Sequence, residues 1–581
     1  MSKTIRAWAG LNKYSKDMFE AKYFLPDEDY DGWLMRVSSA YSDDEAHAER
    51  IRGYIKKYWF MPSTPVASNA GVPERGLPIS CYVNEVPDSK EGIFGIFEEN
   101  NWLGSFGGGI GTVWSFVRGL GEKVGLTGKS GGVVPFLKVS DSSTLAVSQG
   151  GLRRASQAVY LDVRHPEILE FIDIRRPTGD TDRRCQNIHH AVVFPNAFMR
   201  AVVARELWDI VSPKTGEVLK TVDAFDLHKK ILIARMETGE PYILYSDRAN
   251  ELAPQEYKDR GYKIKTSNLC SEIMLHTSED KTGVCCLVSM NLEYFDEFRD
   301  DEQFFKDIHR FTDNVLQSFI ELTEGLKGFE KARASAMEER SLGIGVMGYH
   351  SMLQKMNLPY NSIGARAQTN IVFSTIDSMF KLSNSDRKNW NVTAVAPTAS
   401  ISILCDLASP GIDPRLSNIY VEKTDIGSYT LKNKYLDAIL HDKANAIGGT
   451  MEEREAWVEH QWDLIRQAGG SVQDLDSLTD DEKDVFKTAH EIDQRAIIEA
   501  VAIMTPHIDQ GISTNLFLRP DINAQLLYDL HILAWKKGLK SLYYVRSKSV
   551  KRATVGEVKR EKLEQSNNDL SLETDTCLGC A

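Results

Sequence analysis

The spacing of apolar residues divides the chain into a helical beginning, a long alternating middle and a polar end. In the first sixty residues, apolar side chains recur three or four positions apart, as at Trp33, Leu34, Val37 and Tyr41. This spacing predicts amphipathic helices. Prolines and glycines near position 70 then break the pattern. We therefore predict a helical N-terminal domain over residues 1–75.

Short apolar runs alternate with helical stretches from about residue 76 to residue 550. The runs at 157–161 and 191–194 are typical of strands, and helical spacing follows each of them. Such alternation predicts one large α/β body with a mostly parallel sheet. Residues 425–500 are charged and helix-rich, which indicates an addition to the surface.

The last segment, 551–581, is polar and without apolar periodicity, which predicts a flexible tail. Cys577 and Cys580 lie at its tip. A tether of about 26 residues has an r.m.s. reach of roughly 28 Å, so this dithiol could visit a buried site. A structural zinc site needs a second Cys or His pair with metal spacing, which the sequence lacks. An idle pair of cysteines is the alternative.

Composition and charge narrow the class of protein. A hydrophobic fraction of 42% and a charged fraction of 26% are typical of a globular chain. A net charge of −13 argues against nucleic-acid and membrane-surface binding. No apolar run approaches the ~18 residues that a membrane span needs. Eight cysteines in 581 residues do not form a disulfide scaffold, which favours the reducing cytoplasm.

The segment 268–272 carries an amide, a thiol and a carboxylate at alternate positions, on Asn268, Cys270 and Glu272. In an extended or finger-like backbone, alternate residues point the same way, so these groups would face one pocket. The glycine pattern at 343–348 fits the letters of a dinucleotide fingerprint. It lacks the preceding strand and the βαβ frame, so we reject that interpretation.

Three further motifs carry weaker signals. Cys285 and Cys286 fall in a predicted strand, where neighbours face opposite ways, so one can serve a pocket while the other joins the core. The turn at 397–402 offers hydroxyls and amides that suit a phosphate. Tyr543 and Tyr544 alone would be two strand tyrosines that face opposite sides.

Taken together, these segments resemble the catalytic large subunit of ribonucleotide reductase over nearly the whole chain. The resemblance rests on six motifs: 268–272, Ser80 with Cys81, Cys285 six residues before Asn291, 397–400, Tyr543 with Tyr544, and the dithiol tail. It implies an α/β fold in which residues 76–550 form a ten-stranded α/β barrel with a central finger loop.

The resemblance also implies a role for each residue of the site. Cys270 would be the thiyl radical that takes the 3′ hydrogen of a ribonucleotide. Glu272 would accept the 3′ hydroxyl proton, and Asn268 would hold the 2′ hydroxyl. Cys81 and Cys285 would supply the reducing equivalents and end as a disulfide, although about 200 residues separate them.

The resemblance implies two further roles, re-reduction of the disulfide and binding of the substrate. Cys577 and Cys580 would re-reduce the disulfide, and an external dithiol of the thioredoxin or glutaredoxin type would recharge them. Cys285 is preferred to Cys286 because of its spacing to Asn291. The residues implied to hold the substrate, chiefly its phosphates, are Thr64, Ser80, Gly109, Thr398, Ala399, Ser400, Ile401 and Ser402.

Regulation by a nucleoside triphosphate effector, ATP or a deoxynucleotide, is implied in the same way. The residues that resemble effector contacts are Asp88, Ser89, Arg118, Gln149 and Arg153. Arg154 stands where a glycine often follows, and Gly125 replaces a second effector-loop arginine. The chain begins almost directly with the helical domain, so we expect no ATP-cone and no dATP inhibition through one.

The source of the radical is expected on another chain. The sequence has no paired Glu-x-x-His helices for a di-metal site and no cysteine cluster for an iron–sulfur centre, so we predict no metal ligands. The resemblance implies that Tyr543 and Tyr544 relay a radical from a ferritin-like small subunit, as in class I enzymes. The alternative is an adenosylcobalamin-dependent class II enzyme, which would not need the tyrosines.

Four further expectations complete the interpretation. The family implies a homodimer, and the C-terminus lacks a glycyl-radical segment. Diphosphates are the expected substrates, with triphosphates left open. A nucleotide-binding paralogue without activity would have lost the central thiol or the redox pair, and both are retained here.

Overall fold

The computed structural model describes residues 8–148, 154–424, 427–519 and 522–547. The predicted tail with Cys577 and Cys580, and the predicted effector contacts Gln149 and Arg153, lie outside the described residues. The helices and strands of the described part alternate through most of the chain, as the apolar pattern predicted.

The α-helices are α1 Lys13–Met18, α2 Tyr30–Ala40, α3 Glu45–Lys56, α4 Thr64–Asn69, α5 Lys90–Ser105, α6 Val134–Val147, α7 Ile168–Phe171, α8 Asn196–Ala204, α9 Ala224–Thr238, α10 Ser246–Glu251, α11 Gln255–Arg260, α12 Phe295–Phe298, α13 Glu302–Leu322, α14 Glu330–Glu339, α15 Tyr349–Lys355, α16 Ile363–Ser383, α17 Ile401–Leu404, α18 Lys434–Ile447, α19 Met451–Gln467, α20 Asp480–Val485, α21 Gln494–Met504 and α22 Ala524–Lys536.

The strands are β1 Phe60–Pro62, β2 Cys81–Glu85, β3 Gly109–Val113, β4 Lys123–Val124, β5 Gly128–Lys129, β6 Ser156–Asp162, β7 His189–Phe194, β8 Leu207–Val211, β9 Val218–Asp223, β10 Tyr242–Tyr245, β11 Gly283–Asn291, β12 Leu342–Met347, β13 Ile419–Thr424, β14 Gly427–Lys432, β15 Leu516–Leu518, β16 Ser541–Leu542 and β17 Val545–Ser547.

The N-terminal helices bury the apolar stripe that their sequence predicts. Trp33, Leu34 and Val37 of α2 are fully buried in the main core. Asp29 and Asp44 precede α2 and α3, and each side chain accepts a hydrogen bond from a first-turn N–H. Such caps satisfy N–H groups that have no partner within the helix. The helical beginning of the chain is thus present as predicted.

Five parallel strands form the first half of the barrel, in the order β2, β3, β6, β7 and β10. Helices cover their outer face, as parallel strands require for their crossover connections.

A second parallel set closes the ring. Strand β11 pairs with β12, β12 is bridged to Thr393, and Val395 is bridged to Ile512. Beyond Ile512, strand β15 pairs in parallel with β17. The two halves meet in antiparallel pairs, β11 with β2 and β10 with β16. The second half thus consists of β11, β12, the segment at 393–395, the segment from Ile512 to β15, and β16 with β17. Together with the five strands of the first half, which run in the opposite direction, these make ten strand positions and confirm the predicted ten-stranded barrel.

Two parts of the fold differ in detail from the sequence interpretation. The glycine pattern 343–348 falls mostly inside strand β12, which the sequence did not indicate as a strand. The charged region 425–500 includes a compact subdomain, in which α18 and α19 bury Leu436, Leu440 and Trp462 in a core separate from that of the barrel. Neither difference alters the predicted barrel.

Candidate active site

A finger loop, residues 264–276, passes through the interior of the barrel and contacts strands on several sides. A Cβ on Gly111 of β3 would lie 1.7 Å from the Ser267 carbonyl oxygen, so only glycine permits this approach. On the other sides, Gly511 donates its N–H to the Glu272 carbonyl at 2.7 Å, and the Ser541 hydroxyl donates to the Ser271 carbonyl at 2.9 Å. The loop is thus held by backbone contacts from both halves.

The tip of the finger is a hydrogen-bonded turn around Cys270. Asn268 Nδ2 donates to Glu272 Oε1 at 2.9 Å, and Asn268 Oδ1 accepts the N–H groups of Glu272 and Ile273, both at 3.1 Å. Ser271 takes a left-handed φ of 65°, which turns the chain between thiol and carboxylate. Of the extended or finger-like backbone that we expected, the structure has the finger, and a turn at its tip brings the three side chains together.

A cavity lies in front of this tip. Cys270 and Glu272 line it from the finger, and Cys81 and Cys285 line it from the barrel wall. Asn268 contributes through its bond to Glu272 and through Nδ2, which lies 3.8 Å from Cys81 Sγ. All these groups are nearly fully buried, so the site can protect a reactive intermediate from water.

The two wall cysteines are directly opposite each other on antiparallel strands. Cys81 of β2 is the register partner of Cys285 of β11, although 204 positions separate them in the sequence. Opposed antiparallel residues have Cα atoms about 4.5–5.5 Å apart, which lies in the range for disulfides. Both are thiols here. Their backbone geometry therefore permits reversible disulfide formation.

The neighbouring Cys286 belongs to the opposite face of β11. Its side chain joins the main hydrophobic core, whereas Cys285 belongs to a small cluster beside the finger with Cys81 and Ile273. Burial raises the pKa of the Cys285 thiol well above its usual range, and a hydrogen bond from Gln510 opposes that rise. The choice of Cys285 over Cys286 agrees with the side of the strand on which each lies.

The turn at 397–402 forms another wall of the cavity. Pro397, Thr398, Ser400 and Ile401 line it, and α17 begins at Ile401. Thr398 has a left-handed φ of 54°, and its hydroxyl accepts the Gly411 N–H at 2.7 Å, which holds the turn in shape.

The remaining predicted substrate residues differ in their distance from the cavity. Thr64, at the start of α4, and Ser80, just before β2, line it. Gly109 instead lies behind the wall, where its N–H donates to the Ser80 carbonyl at 2.6 Å. Ala399 and Ser402 also lie outside the lining, and the Ser402 hydroxyl bonds back to the Ala399 carbonyl within the turn.

The tyrosine pair lies in the same buried cluster as Cys270. The ring centroids of Tyr543 and Tyr544 are 4.3 Å apart, and the Tyr242 ring contacts both, at 4.6 Å and 5.0 Å. Two tyrosines within one strand would face opposite sides, but Tyr543 and Tyr544 lie between β16 and β17, and their rings are in contact.

A histidine–carboxylate pair that the sequence interpretation missed lies beside Tyr544. The Tyr544 hydroxyl lies 3.2 Å from His189 Nδ1, and Glu240 Oε1 lies 2.6 Å from the same nitrogen. Burial would raise the pKa of Glu240, but the charges of His189 and Arg175 and the histidine hydrogen bonds hold it well below its usual range. Only the adjacent strands β7 and β10 bring these residues together, so no sequence spacing indicated them.

The predicted effector residues of the described part lie together at the N-terminus of α5. Arg118 forms an ion pair with Asp88, with a nitrogen–oxygen distance of 2.8 Å. The Ser89 side chain accepts the Gly92 N–H and caps the helix. The structure therefore groups Asp88, Ser89 and Arg118 on one surface.

The described residues contain neither a metal-binding cluster nor a membrane-spanning helix. No group of three or more His, Cys, Asp or Glu residues is arranged to hold a metal ion within the described ranges. None of the helices in that part of the chain has the length and apolar character required to cross a bilayer.

Comparison with known proteins gives the family. Residues 10–75 match the ribonucleotide reductase all-alpha domain, and residues 79–385 and 380–545 match the ribonucleotide reductase barrel domain. The chain therefore belongs to the ribonucleotide reductase family, as a large subunit.

Individual relatives agree with this assignment. The ribonucleoside-diphosphate reductase large subunit of Invertebrate iridescent virus 3 is 35% identical over 578 residues, which cover 88% of this chain and 89% of that protein. A large-subunit homologue from Frog virus 3 (isolate Goorha) is 40% identical over 517 residues, 86% of this chain and 88% of its own. The solved Actinobacillus ureae class Id ribonucleotide reductase alpha subunit has a TM-score of 0.82 at 31% identity, and the match covers 94% of this chain and 99% of that one.

Proposed function

We propose that this chain reduces ribonucleoside diphosphates to 2′-deoxyribonucleotides by thiyl-radical chemistry, with the radical supplied by a separate ferritin-like small subunit. The observation that carries the proposal is the single cavity in which the finger residues Cys270 and Glu272 face the opposed thiols Cys81 and Cys285. A hydrogen acceptor, a base and a two-electron reductant are the groups that removal of a 2′ hydroxyl needs.

The first half-reaction uses the finger. Cys270, as a thiyl radical, takes the hydrogen atom from the 3′ carbon of the substrate. Glu272 accepts the 3′ hydroxyl proton, a general-base step that requires hydrogen-bond reach. Asn268 binds the 2′ hydroxyl, and its bond to Glu272 keeps the amide and the carboxylate in one orientation.

The second half-reaction uses the wall. Cys81 and Cys285 together give two electrons and two protons while the 2′ hydroxyl leaves as water, and they end as a disulfide. Cys270 then returns the 3′ hydrogen. Cys577 and Cys580 re-reduce the disulfide by exchange, and an external dithiol of the thioredoxin or glutaredoxin type restores them.

The substrate's phosphates are placed at the wall formed by Thr64, Ser80 and the 398–402 turn. Hydroxyl groups and the first N–H groups of a helix are suitable donors to phosphate oxygens. The relatives named as ribonucleoside-diphosphate reductases support a diphosphate in preference to a triphosphate.

Class I chemistry is favoured by the tyrosine cluster next to Cys270. Tyr543, Tyr544 and Tyr242 form a continuous set of ring contacts, which is suited to a radical relay from a partner. The class Id neighbour agrees. Control by an ATP or deoxynucleotide effector at the Asp88–Arg118 surface, a homodimer and a cytoplasmic location belong to the same proposal.

The test is deoxynucleotide formation by the purified chain with a ribonucleoside diphosphate, a dithiol and a triphosphate effector. One sample has no addition, one has adenosylcobalamin and one has the cognate small subunit. We expect product only with the small subunit. Cys270→Ser should abolish it, and Cys185→Ser should retain it, because Cys185 is buried outside the cavity lining. Product with adenosylcobalamin alone would overturn the assignment to class I. Absence of product from all three samples would overturn the proposed reduction of ribonucleoside diphosphates.

A further inference from the structure

The tip of the finger is a four-residue turn that contains Cys270. The Ser271 N–H donates to the Asn268 carbonyl at 3.3 Å and closes the turn, and the left-handed φ of 65° at Ser271 leads the chain out of it. The Asn268 carbonyl oxygen is therefore the acceptor on which the backbone around the thiol closes. A displacement of this oxygen would displace Cys270 with it.

Tyr160 of β6 binds that same oxygen. Its hydroxyl donates to the Asn268 carbonyl at 2.7 Å and lies 3.4 Å from the Ser271 hydroxyl, so one phenol contacts both ends of the turn. Tyr160 is buried in the same cluster as Cys270. Burial raises the pKa of the Tyr160 phenol, and hydrogen bonds with Ser271 and Ser267 oppose that rise only in part. The hydroxyl therefore keeps its proton and remains a donor.

The barrel wall around Tyr160 is built from small residues that leave room for the finger. Ala158 lies two positions before Tyr160, on the same face of β6, and Ala191 is its register partner on β7. On the neighbouring strand β3, Gly111 lies against the Ser267 carbonyl, where a Cβ would not fit. Among these small residues, the long side chain of Tyr160 extends from the wall to the backbone of the finger.

The hydrogen bonds that hold the finger are divided between the two sides of Cys270. Donors from the second half of the barrel bind the carbonyls of residues 271 and 272, which follow the thiol. Tyr160, from the first half, binds the carbonyl of Asn268, which precedes it. Loss of the Tyr160 hydroxyl would therefore leave the later contacts in place and release the earlier side of the turn.

Transfer of a hydrogen atom to sulfur depends on where the sulfur lies. A displacement of about 1 Å at a reacting group can lower the rate by about 10²-fold. Binding of the substrate depends instead on the residues that line the cavity, and Tyr160 lies outside that lining. A change at Tyr160 should thus affect the chemical step more than substrate binding.

We propose that Tyr160 is a positioning residue for the radical cysteine, because its hydroxyl holds the Asn268 carbonyl and, through the turn, fixes the Cys270 sulfur against the 3′ carbon of the substrate. This inference rests on the proposed function, since it assumes that Cys270 takes the 3′ hydrogen. Tyr160 neither gains nor loses an electron or a proton in this role. It acts through Cys270 and does not touch the substrate.

The kinetic test compares Tyr160→Phe with Tyr245→Phe in the full chain, with the small subunit present. Tyr245 is also a buried strand tyrosine whose hydroxyl donates to a backbone carbonyl, that of His531 at 3.2 Å, but it lies outside the Cys270 cluster. We expect kcat of Tyr160→Phe to fall by about 10–100-fold while KM stays within about twofold of wild type. The control should retain both. A kcat within about twofold of the control, or a change confined to KM, overturns the proposal.

Hydrogen–deuterium exchange distinguishes a displaced turn from a general loss of stability. Asn268 Oδ1 accepts the N–H groups of Glu272 and Ile273, so exchange in a peptide that covers 268–276 reports on the turn. We expect this exchange to be about fivefold faster or more in Tyr160→Phe and unchanged in Tyr245→Phe. Substitution of Tyr160 by 4-aminophenylalanine, which retains the ring and a donor, should restore slow exchange. A fall in kcat with unchanged exchange, or equal exchange in the two phenylalanine variants, overturns the proposal.

The outcome is separable from that of the proposed function. Exchange needs no substrate, radical or small subunit, so it reports on the finger alone. If the wild type forms no deoxynucleotide but Tyr160→Phe loosens the finger, the reaction is refuted and the hold of Tyr160 on the turn is supported. If the wild type forms deoxynucleotide and Tyr160→Phe matches it, the reaction is supported and the positioning role is refuted.

Discussion

Asn268 and Glu272 are joined by two hydrogen bonds across the tip of the finger, one from side chain to side chain at 2.9 Å and one from the Glu272 N–H to Asn268 Oδ1 at 3.1 Å. The amide thus serves at once as a clamp on the turn and as a neighbour of the carboxylate. Because the two roles are combined, substitution of the carboxylate can be designed to leave the clamp in place.

Glu272→Gln is expected to retain the fold and lose catalysis. The glutamine carbonyl can still accept from Asn268 Nδ2, but it cannot take a proton from a 3′ hydroxyl, so kcat should fall by about 10²–10⁴. The measurement is deoxynucleotide formation together with the thermal midpoint, which should change little. A variant that keeps more than about a tenth of wild-type kcat would remove Glu272 from the role of general base.

Tyr544→Phe should abolish turnover that depends on the small subunit, because the phenol that can carry a radical is removed while the ring remains packed on Tyr543 and Tyr242. Tyr245→Phe is the control. Tyr245 is also buried and its hydroxyl donates to the His531 carbonyl at 3.2 Å, but its ring belongs to the main core and lies outside the Cys270 cluster.

Steady-state rates and the yield of radical after mixing with the small subunit provide the comparison. We expect the control to lose about 1 kcal/mol of stability, the value of one hydrogen bond, and to retain activity. Loss of activity in both variants would point to packing of strand β10 and not to a radical relay. Retained activity in Tyr544→Phe would exclude Tyr544 from the relay.

The sequence was informative where short motifs carry the chemistry, and less so where contacts join distant segments. The thiol, amide and carboxylate of 268–272 could be predicted to share a pocket because they are close in the chain. The left-handed turn at Ser271 could not be predicted in the same way. It depends on the Asn268 side chain, which accepts two backbone N–H groups in the folded loop.

Residues that act across strands gave no local signal. Gln510 reaches Cys285 over 225 positions, and His189 meets Glu240 only because β7 and β10 are adjacent. Strand β12 was missed because glycine is uncommon inside strands. Here the glycines permit the close approach of Cys285 and of the 394–395 backbone. The resemblance to the family, and not periodicity, provided the ten-stranded barrel.

Gly111→Ala is expected to displace the finger, because the added methyl group would coincide with the Ser267 carbonyl at 1.7 Å and both groups are backbone-anchored. Overpacking of this kind costs about 1–3 kcal/mol or more. Gly53→Ala in α3 is the control, since nothing lies within 4 Å of the added Cβ and alanine favours a helix by about 0.5–1 kcal/mol.

Thermal midpoints and reductase activity distinguish the two glycines. We expect Gly111→Ala to unfold at lower temperature and to lose activity, while Gly53→Ala is as stable as the wild type or more so. Wild-type activity in Gly111→Ala would show that the finger can move back from β3 without penalty.

Glu240→Gln tests the buried charge beside Tyr544. Burial disfavours the carboxylate, but His189 and Arg175 outweigh it and hold the pKa of Glu240 well below its usual value near 4.5. A folded-state pKa that is depressed contributes stability above the unfolded value, and the contribution is lost as pH falls through the folded value. The variant should therefore be less stable than the wild type at pH 7, by about 3 kcal/mol, and the difference should shrink below about pH 4.5.

Glu167→Gln is the control, because the pKa of Glu167 is shifted in the opposite direction to that of Glu240. Glu167 accepts the N–H groups of Val133 and Val134 at the start of α6, and burial raises its pKa above the usual value. A raised carboxyl pKa favours the protonated folded form, so stability falls as pH rises between the unfolded and folded values. Thermal midpoints from pH 3 to pH 8 should thus show Glu240→Gln becoming less stable relative to the wild type as pH rises to about 4.5. Glu167→Gln should become more stable relative to the wild type as pH rises above that value. The same trend in both variants would mean that His189 and Arg175 do not hold Glu240 ionised beside Tyr544.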